Sequence, residues 1–252
     1  MKKYPKKPKS VYYFATCLVD LLYPEAGLAG IKLLQREGIE VIFPPSQTCC
    51  GQPAYNSGFR SESLKVASHQ VGLFSKDIPI IIPSGSCGAM IRNHFPELFK
   101  NNVLEKAAKS MANRTFELTE FLVHVLKIKL EDLGEPIRVT WHSSCHAKRE
   151  MGITDSPKQL LRQLRNVELM DLEREDECCG FGGTFSIKEK HISSEMVKDK
   201  VDDISKTKAS TLLGGDCGCL MNISGAIKYS GKNINHLHIA EFIWQRINNG
   251  IN

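Results

Sequence analysis

Short apolar runs rich in β-branched and aromatic residues alternate along the chain with longer stretches in which apolar positions recur every three or four residues. The short runs come as two sets of three. VYYFAT (11–16), EVIFP (40–44) and IPIIIP (78–83) fall in the first half, and IRVTW (137–141), VELMDL (167–172) and STLLG (210–214) in the second. Each is read as a β-strand. AGLAGIKLLQREG carries one apolar face and closes on Gly38, which predicts a helix over about 26–37. Ser156 and Pro157 predict an N-cap and first helical residue for SPKQLLRQL. SESLKVASHQVGLF and ISSEMVKDKVDDIS are read as helices in corresponding places of the two halves. HLHIAEFIWQRI near the C-terminus parallels FELTEFLVHVL, so the repeat extends into a last helix of each half. Strands alternating with helices predict an α/β fold of two pseudo-symmetric, Rossmann-like units with mainly parallel sheets. The expected divisions are a basic tail over 1–10, a first domain over 11–130 and a second over 131–252.

The cysteines obey the same repeat. Cys17, Cys49, Cys50 and Cys87 are matched by Cys145, Cys178, Cys179 and Cys219, with Cys217 left over. The first interval is 32 positions in one half and 33 in the other, and a glycine follows each adjacent pair, at Gly51 and Gly180. Neighbouring Cα atoms lie about 3.8 Å apart, whereas a disulfide wants roughly 4.4–6.8 Å. Cys49–Cys50 and Cys178–Cys179 are therefore poor partners for each other. In open parallel sheets ligands gather beyond the carboxyl ends of the strands, and all four cysteine elements of each half fall there. Several thiolates held together point to a soft metal, zinc or an iron–sulfur cluster. Two short C-x2-4-C hooks, the usual zinc-ribbon spacing, are missing. Adjacent cysteines serve different irons of a cluster more readily than two vertices around one ion, so iron–sulfur is the first reading and zinc the second. The glycine after each pair lets the backbone turn close to an inorganic body.

Net charge is +5, and five lysines stand in the first ten residues, so the body is near neutral. No basic face interleaved with aromatics suggests nucleic acid. No run of 18 apolar residues could span a bilayer, which leaves only peripheral association with a membrane. Asp20 and Pro24 interrupt the apolar stretch after the lysines, and no small-residue cleavage site follows, so a secretory leader is not expected. Nine cysteines then point to a reducing, cytoplasmic compartment. The lysine tail is read as solvated and partly disordered. His142 and His146 flank Cys145, and His142 and Cys217 are further candidate metal ligands. His191, His236 and His238 are assigned structural or surface roles. FGG (181–183) lacks the lysine of a P-loop and the pattern of a dinucleotide fold. The acidic DLEREDE (171–177) keeps its loop soluble or guides a basic partner.

The stretches CCGQPAYNSG (49–58), PSGSC (83–87), HSSC (142–145), CCGFGGTFS (178–186) and CLMNISG (219–225) resemble the cysteine-rich CCG domain, found twice in the cysteine-rich component of heterodisulfide reductase. The closer resemblance is to the lactate utilisation protein A family, over about 11–245. It implies a subunit carrying one or two [4Fe–4S] clusters that transfers electrons, with other subunits of a lactate oxidation complex, as L-lactate becomes pyruvate. It carries Cys17, Cys49, Cys50 and Cys87 to one cofactor site and Cys145, Cys178, Cys179 and Cys219 to the other. The CxxC that often closes heterodisulfide reductase domains is absent from both halves, which argues against that enzyme's disulfide chemistry. A zinc-stabilised scaffold and a thiol–disulfide oxidoreductase acting through Cys217 are the competing readings.

Overall fold

A computed structural model describes residues 4–248. Lysines 2 and 3 of the basic tail and the last four residues lie outside it. Eight strands form two sheets: β1 (Ser10–Tyr13), β2 (Glu40–Ile42), β3 (Ile80–Ile82), β4 (Thr115–Glu117), β5 (Ile137–His142), β6 (Val167–Met170), β7 (Thr211–Gly214) and β8 (Asn235–His238). Their orders are β2-β1-β3-β4 and β6-β5-β7-β8, and every pairing is parallel. The two α/β units expected from the sequence are present. Each sheet has one strand more than the three expected. β4 reads TFE and β8 reads NHLH, too short and too polar to announce themselves, and both are strands because β3 and β7 offer them an edge.

The halves are packed into one body. Alternate residues of β1 face opposite ways: Val11 and Tyr13 join a central cluster, while Tyr12 and Phe14 join an outer one. The central cluster also takes Val139 and Trp141 of β5, Leu213 of β7 and Ile239 and Phe242 of the last helix, so both sheets share it. The helices Pro24–Arg36 and Ile239–Ile247 pack on each other within that layer. The outer cores are separate. Helix Arg60–Leu73 contributes Ala67 and Val71 to one, and helix Lys190–Lys206 contributes Val197, Val201 and Ile204 to the other.

Two local expectations change. Ser156 lies inside helix Ser156–Leu161, which begins after Asp155, and its hydroxyl bonds His124 Nε2 at 3.1 Å instead of capping. The tail is only partly free. Lys6, Lys7 and Lys9 are exposed, but Tyr4 stacks on His124 at 4.6 Å and donates to Glu120 Oε1 at 3.2 Å.

Candidate functional site

Every cysteine of the first set follows a strand. Cys17 opens the helix Cys17–Leu22 beyond β1, with Thr16 as its N-cap. Gln47 ties the end of β1 to the next loop: its Nε2 donates to Tyr13 O at 3.2 Å and its Oε1 accepts from Ala15 N at 2.8 Å. Cys49 and Cys50 come next, and Gly51 turns the chain at φ 85°. A Cβ at Gly51 would press on Ser63 Oγ at 3.1 Å and Ser63 O at 3.2 Å. The Ser63 hydroxyl donates to Gly51 O at 3.1 Å and pins the turn to helix Arg60–Leu73. Beyond β3, Ser84 caps the helix that starts at Gly85 by accepting from Cys87 N at 3.4 Å. Cys50 and Cys87 then meet with their sulfurs 3.3 Å apart.

The second set is built on the same plan. Gly180 turns at φ 81°, and a Cβ there would lie 2.8 Å from Ser193 O. The Ser193 hydroxyl donates to Gly180 O at 2.8 Å, as Ser63 does to Gly51. Ser143 donates to Glu175 Oε1 at 2.7 Å, joining β5 to the loop that Gln47 holds in the first half. Asp216 is the N-cap of helix Cys217–Tyr229, so Cys219 stands three residues past the cap, as Cys87 stands past Ser84. Cys217 takes the place of Gly85.

Thiols in this arrangement share protons along a chain. Hydrogen bonds from Cys17 and Cys50 pull Cys49 down to about 3, against the effect of burial. Those from Cys145 and Cys179 pull Cys178 down to about 2. Cys17, Cys50, Cys145 and Cys179 are pushed up, chiefly because they give those hydrogen bonds. Cys217 is pushed up by burial and by Asp216. The Gly51 and Gly180 N–H groups lie 3.4 Å from the Cys49 and Cys178 sulfurs.

The two sets open into one cavity of about 260 Å³, lined by all nine cysteines, which are all free. Two contacts across the halves hold its rim. Asp216 Oδ2 accepts from Ser86 N at 2.9 Å and from Ser84 Oγ at 3.2 Å, and Ser57 Oγ meets Thr184 Oγ1 at 2.8 Å. Gly85 packs so close to Ala147 that a Cβ would sit 2.5 Å from the alanine methyl. His142 is buried in the wall of the second site. His146 lines the cavity with Nδ1 3.6 Å from Cys145 Sγ. His238 is structural, with Nε2 on Pro83 O at 3.1 Å and Nδ1 accepting from Ala240 N at 3.2 Å. Gly182 and Gly183 form part of the cavity wall.

Soft donors in sets of four and a glycine turn where a side chain would intrude suit a metal or metal cluster. Gln47, Ser63, Ser193 and Asp216 were not singled out from the sequence. Asp216 could have been, because an aspartate three residues before a helical cysteine is an N-cap signal. The two serines carry no local mark.

The model of the CCG cysteine-rich domain matches residues 11–92 and again 139–224. Lactate utilization protein A of Geobacillus sp. (strain WCH70) is 46% identical over 239 residues, covering 94% of this chain and 99% of that protein. The protein of the same name from Halalkalibacterium halodurans is 46% identical over 234 residues, covering 92% and 96%. Among solved structures, a hypothetical protein from Helicobacter pylori superposes with TM-score 0.69 at 11% identity, covering 98% of this chain. The likeness is one of fold, and this chain spans about half of that protein's length (51%). With two matches to the domain model and near-full-length identity to these relatives, the chain belongs to the lactate utilization protein A family and is built from two CCG domains.

Proposed function

We propose that this protein is the iron–sulfur electron-transfer subunit of a lactate-oxidising complex, acting in the cytoplasm with other subunits that complete the conversion of L-lactate to pyruvate. The observation that carries this reading is the convergence of two four-cysteine sets on one cavity. Cys17, Cys49, Cys50 and Cys87 hold one [4Fe–4S] cluster, and Cys145, Cys178, Cys179 and Cys219 hold the other. Residues 11–130 and 131–252 are the corresponding functional units, and residues 1–10 are a basic tail outside them. Lactate enters from the name shared by the relatives.

Bound clusters would supply one-electron redox chemistry. The chain's own residues set its conditions. Ser63 and Ser193 hold the two glycine turns against their helices, so that the backbone N–H groups point at sulfur and stabilise its charge. Asp216 locks the Cys87 and Cys219 helices together, which fixes the separation of the two sites. The outer cores leave Cys50, Cys87, Cys179 and Cys219 buried, sheltered from water and oxidant. A single zinc ion needs no cavity of about 260 Å³ shared between two thiol sets, which favours clusters over a zinc scaffold.

Anaerobic purification followed by iron, sulfide and zinc analysis, with visible and EPR spectra, tests the reading. Iron and sulfide in cluster stoichiometry with broad visible absorption are expected. Colourless protein that holds stoichiometric zinc, even after anaerobic reconstitution with iron and sulfide, would overturn it.

A further inference from the structure

The walls of the two sites differ at a position that faces sulfur. His142 ends β5 three residues before Cys145, and Phe14 stands three residues before Cys17 just beyond β1. Both are buried on the outer side of their sheets. Phe14 packs against Phe74 at 5.3 Å, an apolar ring in an apolar wall. The His142 residue is 1% exposed, and neither ring nitrogen has a hydrogen-bond partner among the described residues. Leaving a buried polar group unpaired is destabilising, a cost that phenylalanine avoids. His238, equally buried, uses both its nitrogens.

His142 is also the histidine placed for sulfur chemistry. One of its ring nitrogens and the sulfurs of Cys179 and Cys219 all lie within 4.8 Å of one another. Burial, reinforced by the cationic Lys200, disfavours a charged imidazolium there. Lys200 itself is buried and donates to Arg174 O. On the helix of the first half, the residue seven positions past the turn-holding serine is the neutral Gln70.

We propose that His142 is a nitrogen ligand of the metal cofactor at the second site, which therefore has a mixed sulfur and nitrogen donor set while the first is all sulfur. The inference rests on the metal-site reading above. It makes the two sites chemically unequal, so an electron entering the protein does not divide evenly between them.

The test uses the full chain carrying Cys50→Ser and Cys87→Ser, which leaves only the second site intact. It is reconstituted anaerobically, its iron and sulfide are counted, and pulsed EPR is recorded in the paramagnetic state with natural and 15N-labelled histidine. A strongly coupled nitrogen that responds to the label is expected, lost in His142→Phe and kept in His146→Phe. Iron-loaded protein without histidine coupling, or with coupling that survives His142→Phe, overturns the inference alone. If His142→Phe does not load, the labelled parent decides by itself. If the double variant takes up no iron while the parent chain loads, the labelling is read on the parent chain and its His142→Phe variant; a parent chain that takes up no iron overturns the electron-transfer reading and this inference together.

Discussion

The two halves agree where the chain must be held and disagree where sulfur is surrounded. Ser63 and Ser193 make the same bond to Gly51 and Gly180, and both glycines turn at nearly the same positive φ. Around those turns the pairs diverge: Phe14 against His142, Gln70 against Lys200, Ser84 against Asp216, Gly85 against Cys217. Holding a loop is a backbone problem with few solutions. The polarity of a wall can change without disturbing the turn. The shared central layer keeps the two sites in register while their walls differ.

Removing a sulfur from one half breaks the comparison most sharply. Cys50→Ser and Cys179→Ser are each expected to lose about half of the bound metal, read as iron and sulfide per chain. Loss of nearly all metal from either variant would mean that the sites assemble as one unit.

Protonation separates the halves next. Glu117 and His238 occupy equivalent N-cap positions, where Glu117 accepts from Thr119 N and Glu120 N, and His238 accepts from Ala240 N. Burial raises Glu117 to about 7, above its ordinary 4.5. The unfolded chain then releases this proton first, so stability falls as pH rises from about 4.5 to 7 and levels off above that. Burial lowers His238 to about 4 from 6.5. The unfolded chain binds that proton first, so stability falls as pH drops from 6.5 toward 4. The two slopes oppose each other between about pH 4.5 and 6.5, so urea unfolding across pH 4–8 is expected to separate them only in variants, each slope amounting to about 3 kcal/mol. Glu117→Gln should make stability fall more steeply as pH drops below 6.5, and His238→Asn should shift the slope the other way. A profile unchanged by both would refute the assignment.

The glycine turns give a smaller contrast. Gly51→Ala meets the Ser63 hydroxyl at 3.1 Å and the Ser63 carbonyl at 3.2 Å, which a small shift relieves, and should cost about 1–2 kcal/mol, the strain of a positive φ. Gly180→Ala meets the equivalent Ser193 carbonyl more closely, at 2.8 Å, and should cost about 1 kcal/mol more. Equal losses in unfolding midpoint would show that the second turn relaxes as easily as the first.

The smallest effect has the opposite sign. In metal-free protein His142→Phe removes an unpaired buried polar ring and should stabilise by about 1 kcal/mol. A loss of stability there would indicate that the imidazole is paired in solution.

The alternation of apolar runs and amphipathic stretches was enough to read two parallel α/β units, since buried parallel strands such as Ile80–Ile82 are continuous apolar runs. The nearly equal cysteine spacing was enough to sort eight of the cysteines into two matching sets, because strand ends bring distant cysteines to one edge. β4 and β8 escaped notice, since residues such as Asn235 and His236 become strand only through their neighbour. The meeting of both thiol sets in one cavity was decided by the tertiary structure alone. It depends on the shared core and on contacts such as Asp216 with Ser86, 130 positions apart, which no local pattern encodes. The isolation of His142 has the same origin. A histidine before a cysteine is visible in the sequence, but whether its nitrogens find partners is settled only by what packs around it.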